Sequence, residues 1–184
     1  WQYKKLKEIS EKVIIFLDEP ILSALGSSAY LNIQDEEVIS SLNEIIDALH
    51  QQGAIVGIHC CGNTVWGLIT KSNIDILAFD AYFYGDRVSL YVNELSSFLD
   101  RGGILAFGIV PTSDAKKLRE ENANSLIDKI SSLINNLEKK GINKEKIISQ
   151  TIFTPSCGLG SGSLSIEESE IALKLLHEIK GCKL

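Results

Sequence analysis

The sequence predicts an α/β fold, namely the C-terminal part of a (β/α)8 TIM barrel with about five βα units. Three observations support this fold class. Short apolar runs alternate with amphipathic segments five times along the 184 residues. The first strand-to-helix turn, residues 18–22 (DEPIL), lacks the glycine-rich fingerprint of a dinucleotide-binding sheet. Because a complete barrel needs about 250 residues, five units are too few to close the ring.

Five apolar runs are predicted as strands because they are short and have no helical period. In chain order they are residues 13–17, 54–58, 76–79, 104–110 and 147–153. Residues 1–12 are expected to end a preceding helix. The chain has no Met and begins with Trp1, so we expect residues 1–184 to be the C-terminal portion of one barrel domain whose first strands are missing.

Five amphipathic segments between and after these runs are predicted as helices. They cover residues 35–52, a short stretch around 64–70, and residues 89–99, 115–140 and 165–179. Ser165 and Glu168 have the spacing of an N-terminal capping box. Gly53 and Gly141 each follow a helical segment, where a glycine commonly ends a helix.

Composition excludes several classes of partner. The chain has 18 Lys and Arg against 24 Asp and Glu, a formal charge of −6, and no basic cluster that would bind nucleic acid or an anionic membrane. No apolar run approaches the roughly 20 residues of a membrane span, and the N-terminus does not resemble a signal peptide. We therefore expect a cytoplasmic protein. Four cysteines are too few for a disulfide scaffold of this size.

Polar residues follow the predicted strands where a barrel places its chemistry, at their C-terminal ends. The five runs end in Asp18-Glu19, in His59-Cys60-Cys61, in Asp80, in Val110-Pro111-Thr112, and in residues 154–158 (TPSCG). Four of these five endings offer metal ligands or acid–base groups. We therefore expect a functional site built from separate parts of the chain.

A zinc site is the most specific chemistry that these residues predict. His59 and Cys61 are two positions apart and so point to the same side of a strand, whereas Cys60 points away. Cys157 would supply a third nitrogen or sulfur ligand, and Asp80 a fourth ligand through oxygen. Taken alone, the His-x-Cys spacing is a weak signal that favours a packed histidine and a small buried thiol over metal binding, and Cys157 changes that interpretation.

Such a ligand set favours thiol chemistry over water activation. Two thiolates, an imidazole and a carboxylate leave zinc with a net negative charge, which makes it a modest Lewis acid but keeps a substrate sulfur nucleophilic. Asp18 and Glu19 are adjacent, so only one of them faces the pocket. Asp18 is favoured as the carboxylate that contacts the ammonium group of an amino-acid thiol.

Other features have alternative interpretations. Residues 158–163 (GLGSGS) are compatible with a phosphate-binding loop or with a simple turn into the last helix, and the turn is favoured. His50 and His177 lie in amphipathic segments and are expected to face solvent. Cys182 is expected to be a surface or packing thiol. Tyr82 and Tyr84 are compatible with a pocket wall or with packing.

Four segments together resemble the catalytic barrel of cobalamin-independent methionine synthase, in the superfamily that includes uroporphyrinogen decarboxylase and corrinoid-linked methyltransferases. They are residues 16–20 (FLDEP), 58–62 (IHCCG), 75–80 (DILAFD) and 154–159 (TPSCGL). The resemblance implies a zinc site of His59, Cys61 and Cys157, with Asp80 where the family usually has Glu. It also implies that Asp18 contacts the amino-acid substrate, with Glu19 beside it.

One departure from that family concerns the methyl donor. The family has a histidine near the end of the fourth strand, whereas residues 108–112 are GIVPT. Methyltetrahydrofolate leaves as a basic amine and needs a proton, whereas a methylcorrinoid does not. The sequence therefore resembles short, single-barrel relatives that take a methyl group from a corrinoid protein.

The expected function is a zinc-dependent methyltransferase that activates a small thiol, with homocysteine favoured, for attack on methylcorrinoid or methyltetrahydrofolate to give methionine. Two alternatives remain open. One is a metal-free lyase resembling uroporphyrinogen decarboxylase, and the other is a non-catalytic partner that binds a metal or a corrinoid protein.

Overall fold

The structure, a computed structural model, describes residues 1–25, 27, 32–160 and 164–180. Five strands form one sheet in the order β1-β2-β3-β4-β5. The pairs β1/β2 and β4/β5 are parallel. The predicted α/β class is therefore confirmed. The strands are β1 (Ile14–Asp18), β2 (Ile55–Cys60), β3 (Ile76–Phe79), β4 (Ile104–Val110) and β5 (Thr151–Pro155).

Helices precede, separate and follow the strands. They are α1 (Gln2–Lys7), a 3-10 turn (Pro20–Ala24), α2 (Asp35–His50), α3 (Trp66–Ile69), α4 (Ala81–Val88), α5 (Val92–Asp100), α6 (Ala115–Glu120), α7 (Ala123–Lys139), α8 (Lys144–Ser149) and α9 (Ile166–Ile179). Across the described ranges, every helix is too short or too polar to cross a bilayer.

The described chain divides into two compact units, of which the first comprises residues 1–78 and 93–104. Helix α2 packs on β2. Its apolar residues Leu42 and Ile46 lie four apart on one face and are buried, while acidic residues fill its first turn, where the helix dipole favours them. The carboxylate of Asp75 accepts hydrogen bonds from the Val56 N–H and from His50 Nε2, both at 2.8 Å. That carboxylate therefore links the end of α2 to the start of β2.

The second unit comprises residues 79–92 and 105–184. Strand β4 is buried along almost its whole length, and Phe107 packs edge-to-face on Phe79 with ring centroids 5.4 Å apart. Helix α7 contacts α4, α8 and α9 through a helical stripe of buried residues: Leu126, Ile130, Leu133, Ile134 and Leu137. The apolar face of α7 therefore organises this unit.

The register of β1 and β2 places several side chains on one face. Phe16 is opposite Gly57, and Asp18 is opposite His59. The Phe16 side chain lies so close over Gly57 that a Cβ there would be 2.3 Å from Phe16 Cε1. On the other face, Val56 and Ile58 of β2 are fully buried, and Ile15 and Leu17 of β1 are half-buried. Asp18 and His59 therefore share the more exposed face of this strand pair.

The sequence prediction for the last strand was wrong at its start. Residues 147–149 belong to α8, because the Asn143 side chain accepts a hydrogen bond from the Lys146 N–H at 2.9 Å and caps a helix there. The strand begins at Thr151. One apolar run therefore contributes to two elements, with the buried Ile147 on the helix.

Two helix predictions also need correction. The segment predicted as one helix over 115–140 is two helices, because Asn122 caps α7 through its hydrogen bond from the Ser125 N–H. The segment predicted as a helix over 89–99 begins instead at Val92, and the separate helix α4 precedes it. The other three predicted helices, over 35–52, around 64–70 and over 165–179, are confirmed as α2, α3 and α9, with ends that differ by a few residues.

Candidate metal centre

Strand β2 positions the first two candidate ligands. Its side chains alternate, so Ile58 and Cys60 are fully buried, whereas His59 is half-buried. Cys61 directly follows the strand and is exposed. The alternation thus separates the two neighbouring cysteines as the sequence predicted, with Cys60 on the side away from His59.

The loop after β2 packs against the 3-10 turn of the same unit. The buried Thr64 hydroxyl donates a hydrogen bond to the Leu22 carbonyl oxygen at 2.6 Å. A Cβ at position 62 would lie 2.7 Å from the Cβ of Ser23, so glycine allows the close approach of the two segments. These contacts hold the residues that follow Cys61.

The third candidate ligand, Cys157, lies just beyond β5. The pairing of β4 with β5 has an irregularity between Gly108 and Val110, after which the Ser156 N–H donates to the Val110 carbonyl at 2.8 Å. A Cβ at Gly108 would lie 2.7 Å from the Phe79 carbonyl oxygen and 2.8 Å from Ser156 Cα. Glycine is therefore required for the backbone of β5 to approach this closely.

The structure brings three of the four predicted metal ligands together. An imidazole nitrogen of His59 and the Sγ atoms of Cys61 and Cys157 all lie within 4.8 Å of one another. Among the described residues, the buried Nε2 atom of His59 has no hydrogen-bond partner. A buried ring nitrogen without a partner is unfavourable, and coordination would satisfy it. The donor set is one that zinc prefers, so the residues fit a metal ion of this class.

The electrostatic environment keeps His59 in the form that binds metals. Burial lowers the pKa of the imidazole, and the neighbouring Asp18 carboxylate opposes this by favouring the charged form. The net effect is a lowered pKa, so the ring is neutral near pH 7. Burial raises the pKa of the Cys60 thiol, which donates a weak hydrogen bond to the Gly62 carbonyl oxygen at 3.6 Å. Cys60 is therefore a structural thiol.

Asp80, predicted as a fourth ligand, is not a member of this group. Its side chain is only 3% exposed, and Oδ1 accepts the Phe83 N–H at 2.9 Å as the N-cap of α4. Burial raises the pKa of Asp80 to about 6, although the amides of Phe83 and Tyr82 oppose the rise. Its role as a ligand stays a prediction, and the structure gives it a helix-capping role.

Asp18 and Glu19, the predicted substrate-binding carboxylates, face different surroundings. Asp18 is exposed and lies opposite His59 in the β1/β2 register. Glu19 donates its N–H to the His59 carbonyl oxygen at 2.9 Å, and it lines an apolar groove with Ile21 and Leu25. Of the two, Asp18 is the carboxylate on the His59 face, while the substrate role of both stays a prediction.

The remaining sequence interpretations have mixed outcomes. His177 is exposed as expected, whereas His50 faces solvent only in part, because it is half-buried and bonded to Asp75. The Tyr82 hydroxyl donates to Glu121 Oε1 at 2.5 Å, and Lys129 Nζ lies 4.4 Å from the centroid of its ring. Residues 161–163 of the glycine-rich segment and Cys182 lie outside the described residues.

Thr112 and Ser156 hydrogen-bond within the segment that contains Cys157, and the sequence analysis did not assign a role to either residue. Both are fully buried, and both hydrogen-bond in the segment of Cys157. The available signal was the position of Thr112 at the end of the fourth strand, where barrels place functional residues. A threonine there gives no further indication of its partner.

Comparison with known proteins adds no family. No protein-family model matches the sequence, and no curated protein matches it. The resemblance to cobalamin-independent methionine synthase rests on the four segments named above and stays a prediction.

Proposed function

We propose that this chain is part of a zinc-dependent methyltransferase that activates a small thiol, homocysteine being favoured, for attack on a methyl donor. The observation that supports this proposal is the group formed by His59, Cys61 and Cys157, whose ligand atoms lie within 4.8 Å of one another. A metal-free lyase has no use for two thiols and an orphaned imidazole nitrogen in one place. The cluster therefore favours the metal-dependent activity.

Three protein ligands match a catalytic zinc centre better than a structural one. Structural zinc sites are closed by four protein ligands, whereas catalytic sites have three and leave a position for substrate. Two thiolates and a neutral imidazole would balance the charge of Zn²⁺. A bound zinc ion would lower the pKa of a substrate thiol, so that its sulfur is present as the nucleophilic thiolate.

Asp18 is proposed to orient the substrate. It lies on the same strand face as His59 and is exposed, so its carboxylate can accept charge-assisted hydrogen bonds from the ammonium group of an amino-acid thiol. The same carboxylate favours the charged form of His59. Asp18 would therefore position the substrate sulfur and influence the nearest nitrogen ligand.

The methyl donor is proposed to be a methylcorrinoid, presented by a corrinoid protein. Residues 108–112 contain no histidine or carboxylate that could protonate a folate amine. A cobalt leaving group needs no proton. The methionine synthase type of (β/α)8 barrel, of which the five strands would be the C-terminal part, is proposed on the same resemblance.

Metal analysis of the purified chain is the first test. We expect about one zinc per chain. Cys61→Ser and Cys157→Ser should each lose that zinc, with a fall in zinc affinity of more than about 100-fold. A fall of this size exceeds the effect of removing a residue that only bonds to a ligand. Cys60→Ala is the matched control, because Cys60 adjoins Cys61 but points away from it, and it should keep its zinc. Stoichiometric zinc in either serine variant would contradict the proposed site.

Methyl transfer to homocysteine with methylcobalamin and methyltetrahydrofolate in parallel is the second test. We expect turnover with methylcobalamin. Asp18→Asn should raise KM for homocysteine by about tenfold with little change for a thiol without an ammonium group, since it removes one charge-assisted hydrogen bond. The non-catalytic partner would instead be indicated if the chain binds zinc but no added thiol displaces a metal ligand. That displacement is followed by the absorption spectrum of the cobalt-substituted chain.

A further inference from the structure

The segment that contains Cys157 is held by one buried hydroxyl. Thr112 Oγ1 donates a hydrogen bond to the Cys157 carbonyl oxygen at 2.9 Å and accepts one from the Cys157 N–H at 2.9 Å. Both backbone polar groups of the candidate ligand are thus bonded to the same atom. This arrangement restricts the backbone of Cys157 on both sides of its Cα.

Ser156 holds Thr112 in turn. The Thr112 N–H donates to Ser156 Oγ at 3.1 Å, and the two hydroxyl oxygens are 3.3 Å apart. A threonine hydroxyl has a single proton, and that proton is used by the Cys157 carbonyl. The Ser156 hydroxyl is therefore the donor in the contact between the two hydroxyls, and Thr112 Oγ1 is the acceptor. Both residues are fully buried, so water does not compete for these bonds.

We propose that Thr112 is a positioning residue for metal binding, which fixes the direction of the Cys157 side chain through the backbone of Cys157. The inference rests on the proposed function, because it concerns a ligand of the proposed zinc site. Cys157 needs such a device because it lies beyond β5, where no strand ladder fixes it. Outer-shell partners of metal ligands typically change affinity by about 10–100-fold.

The test compares the Co²⁺ affinity of full-chain variants, measured by competition with a chelator and by the thiolate-to-cobalt absorption band. Thr112→Val keeps the shape of the side chain and removes the hydroxyl; we expect its affinity to fall at least about tenfold and its absorption band to shift. Thr112→Ser restores the hydroxyl and should bind within about threefold of the original chain.

Thr151→Val is the matched control. Thr151 lies at the other end of β5, and its hydroxyl donates to the Ile147 carbonyl oxygen at 2.7 Å. This variant also loses one threonine hydrogen bond in the same unit, so a general loss of stability would weaken Co²⁺ binding in both valine variants. We expect unchanged affinity and an unchanged absorption band for Thr151→Val.

The outcomes separate this inference from the proposed function. If the original chain shows no thiolate-to-cobalt band, both are overturned. If the original chain binds Co²⁺ and Thr112→Val binds it equally well, with the same band, only the positioning role is overturned. Should Thr112→Val not fold, Ser156→Ala provides the same test, because Ser156 bonds to Thr112, and an affinity equal to that of the original chain overturns the inference.

Discussion

The end of β2, with His59 and the following Cys61, and the segment that contains Cys157 are held in different ways. His59 is a strand residue and Cys61 follows it directly, so the period of two of β2 decides their direction. Cys157 lies two residues beyond β5, and hydroxyl groups of Thr112 and Ser156 fix its backbone. One candidate ligand pair thus depends on a repeating pattern, and the third ligand depends on two particular side chains.

The largest expected effect comes from filling the space at Gly108. A Cβ there would lie 2.7 Å from a backbone oxygen and 2.8 Å from a backbone carbon, neither of which can rotate away. We expect Gly108→Ala to lower the free energy of unfolding by about 2–3 kcal/mol and to weaken metal binding, because it displaces the segment before Cys157. Urea denaturation in the presence of EDTA and Co²⁺ titration measure the two effects.

Gly57→Ala is the matched control in β2, the strand that contains His59. The three atoms nearest to its Cβ would all belong to the ring of Phe16, which is 40% exposed and can turn aside. The expected loss of unfolding free energy is below about 1 kcal/mol, because the clash is with a movable side chain. Equal losses of unfolding free energy in the two alanine variants would show that the close backbone approach at Gly108 is not needed to hold the Cys157 segment.

An intermediate effect is expected at Asp80, which also ends a strand. Because its pKa is raised from 3.8 to about 6, the folded state binds the proton more tightly than the unfolded state does. Its contribution to stability is complete below about pH 4 and is lost as pH rises through about 6. In metal-free protein, we expect Asp80→Asn to remove this pH dependence and to gain up to about 2 kcal/mol at pH 7.

The same variant tests Asp80 as a ligand. The amide oxygen of asparagine can still accept the Phe83 N–H, so the helix cap is preserved. We expect the Co²⁺ affinity of Asp80→Asn to remain within about threefold, because the carboxylate is bonded to backbone amides in the folded chain. A loss of more than about tenfold would establish Asp80 as a metal ligand.

The smallest effect on metal binding is expected at Thr64, the counterpart of Thr112 in the loop after Cys61. Thr64→Val leaves the Leu22 carbonyl without its donor, which should lower the free energy of unfolding by about 1–2 kcal/mol. Because β2 already fixes His59 and Cys61, we expect the Co²⁺ affinity to stay unchanged. Comparable losses of affinity in Thr64→Val and Thr112→Val would remove the contrast between the two regions.

Strand alternation made much of the site predictable from the sequence. The period of two placed Cys60 opposite to His59, and the apolar runs at 76–79 and 104–110 matched β3 and β4 at both ends. The last strand was misplaced because an apolar pair such as Ile147-Ile148 suits a buried helix as well as a strand. Asp80 shows a related ambiguity, since an aspartate after a strand can serve as a ligand or as the N-cap of the next helix.

The hydrogen bonds of Thr112 could not be predicted in the same way. Cys157 and Thr112 are 45 positions apart, and neither lies in a periodic segment at that point. Their contact depends on the irregular pairing between Gly108 and Val110, for which a single glycine in an apolar run is only a weak signal. Such contacts follow from tertiary packing.

Cys60 and Cys61 are joined by one peptide bond but differ sharply in burial. Cys60 is fully buried with a raised pKa, and Cys61 is exposed. An alkylating reagent such as a maleimide requires an accessible thiolate, so brief treatment of the metal-free chain should modify Cys61 and spare its neighbour. Peptide mass spectrometry can therefore use the adjacent thiol as an internal reference for occupancy of the metal centre.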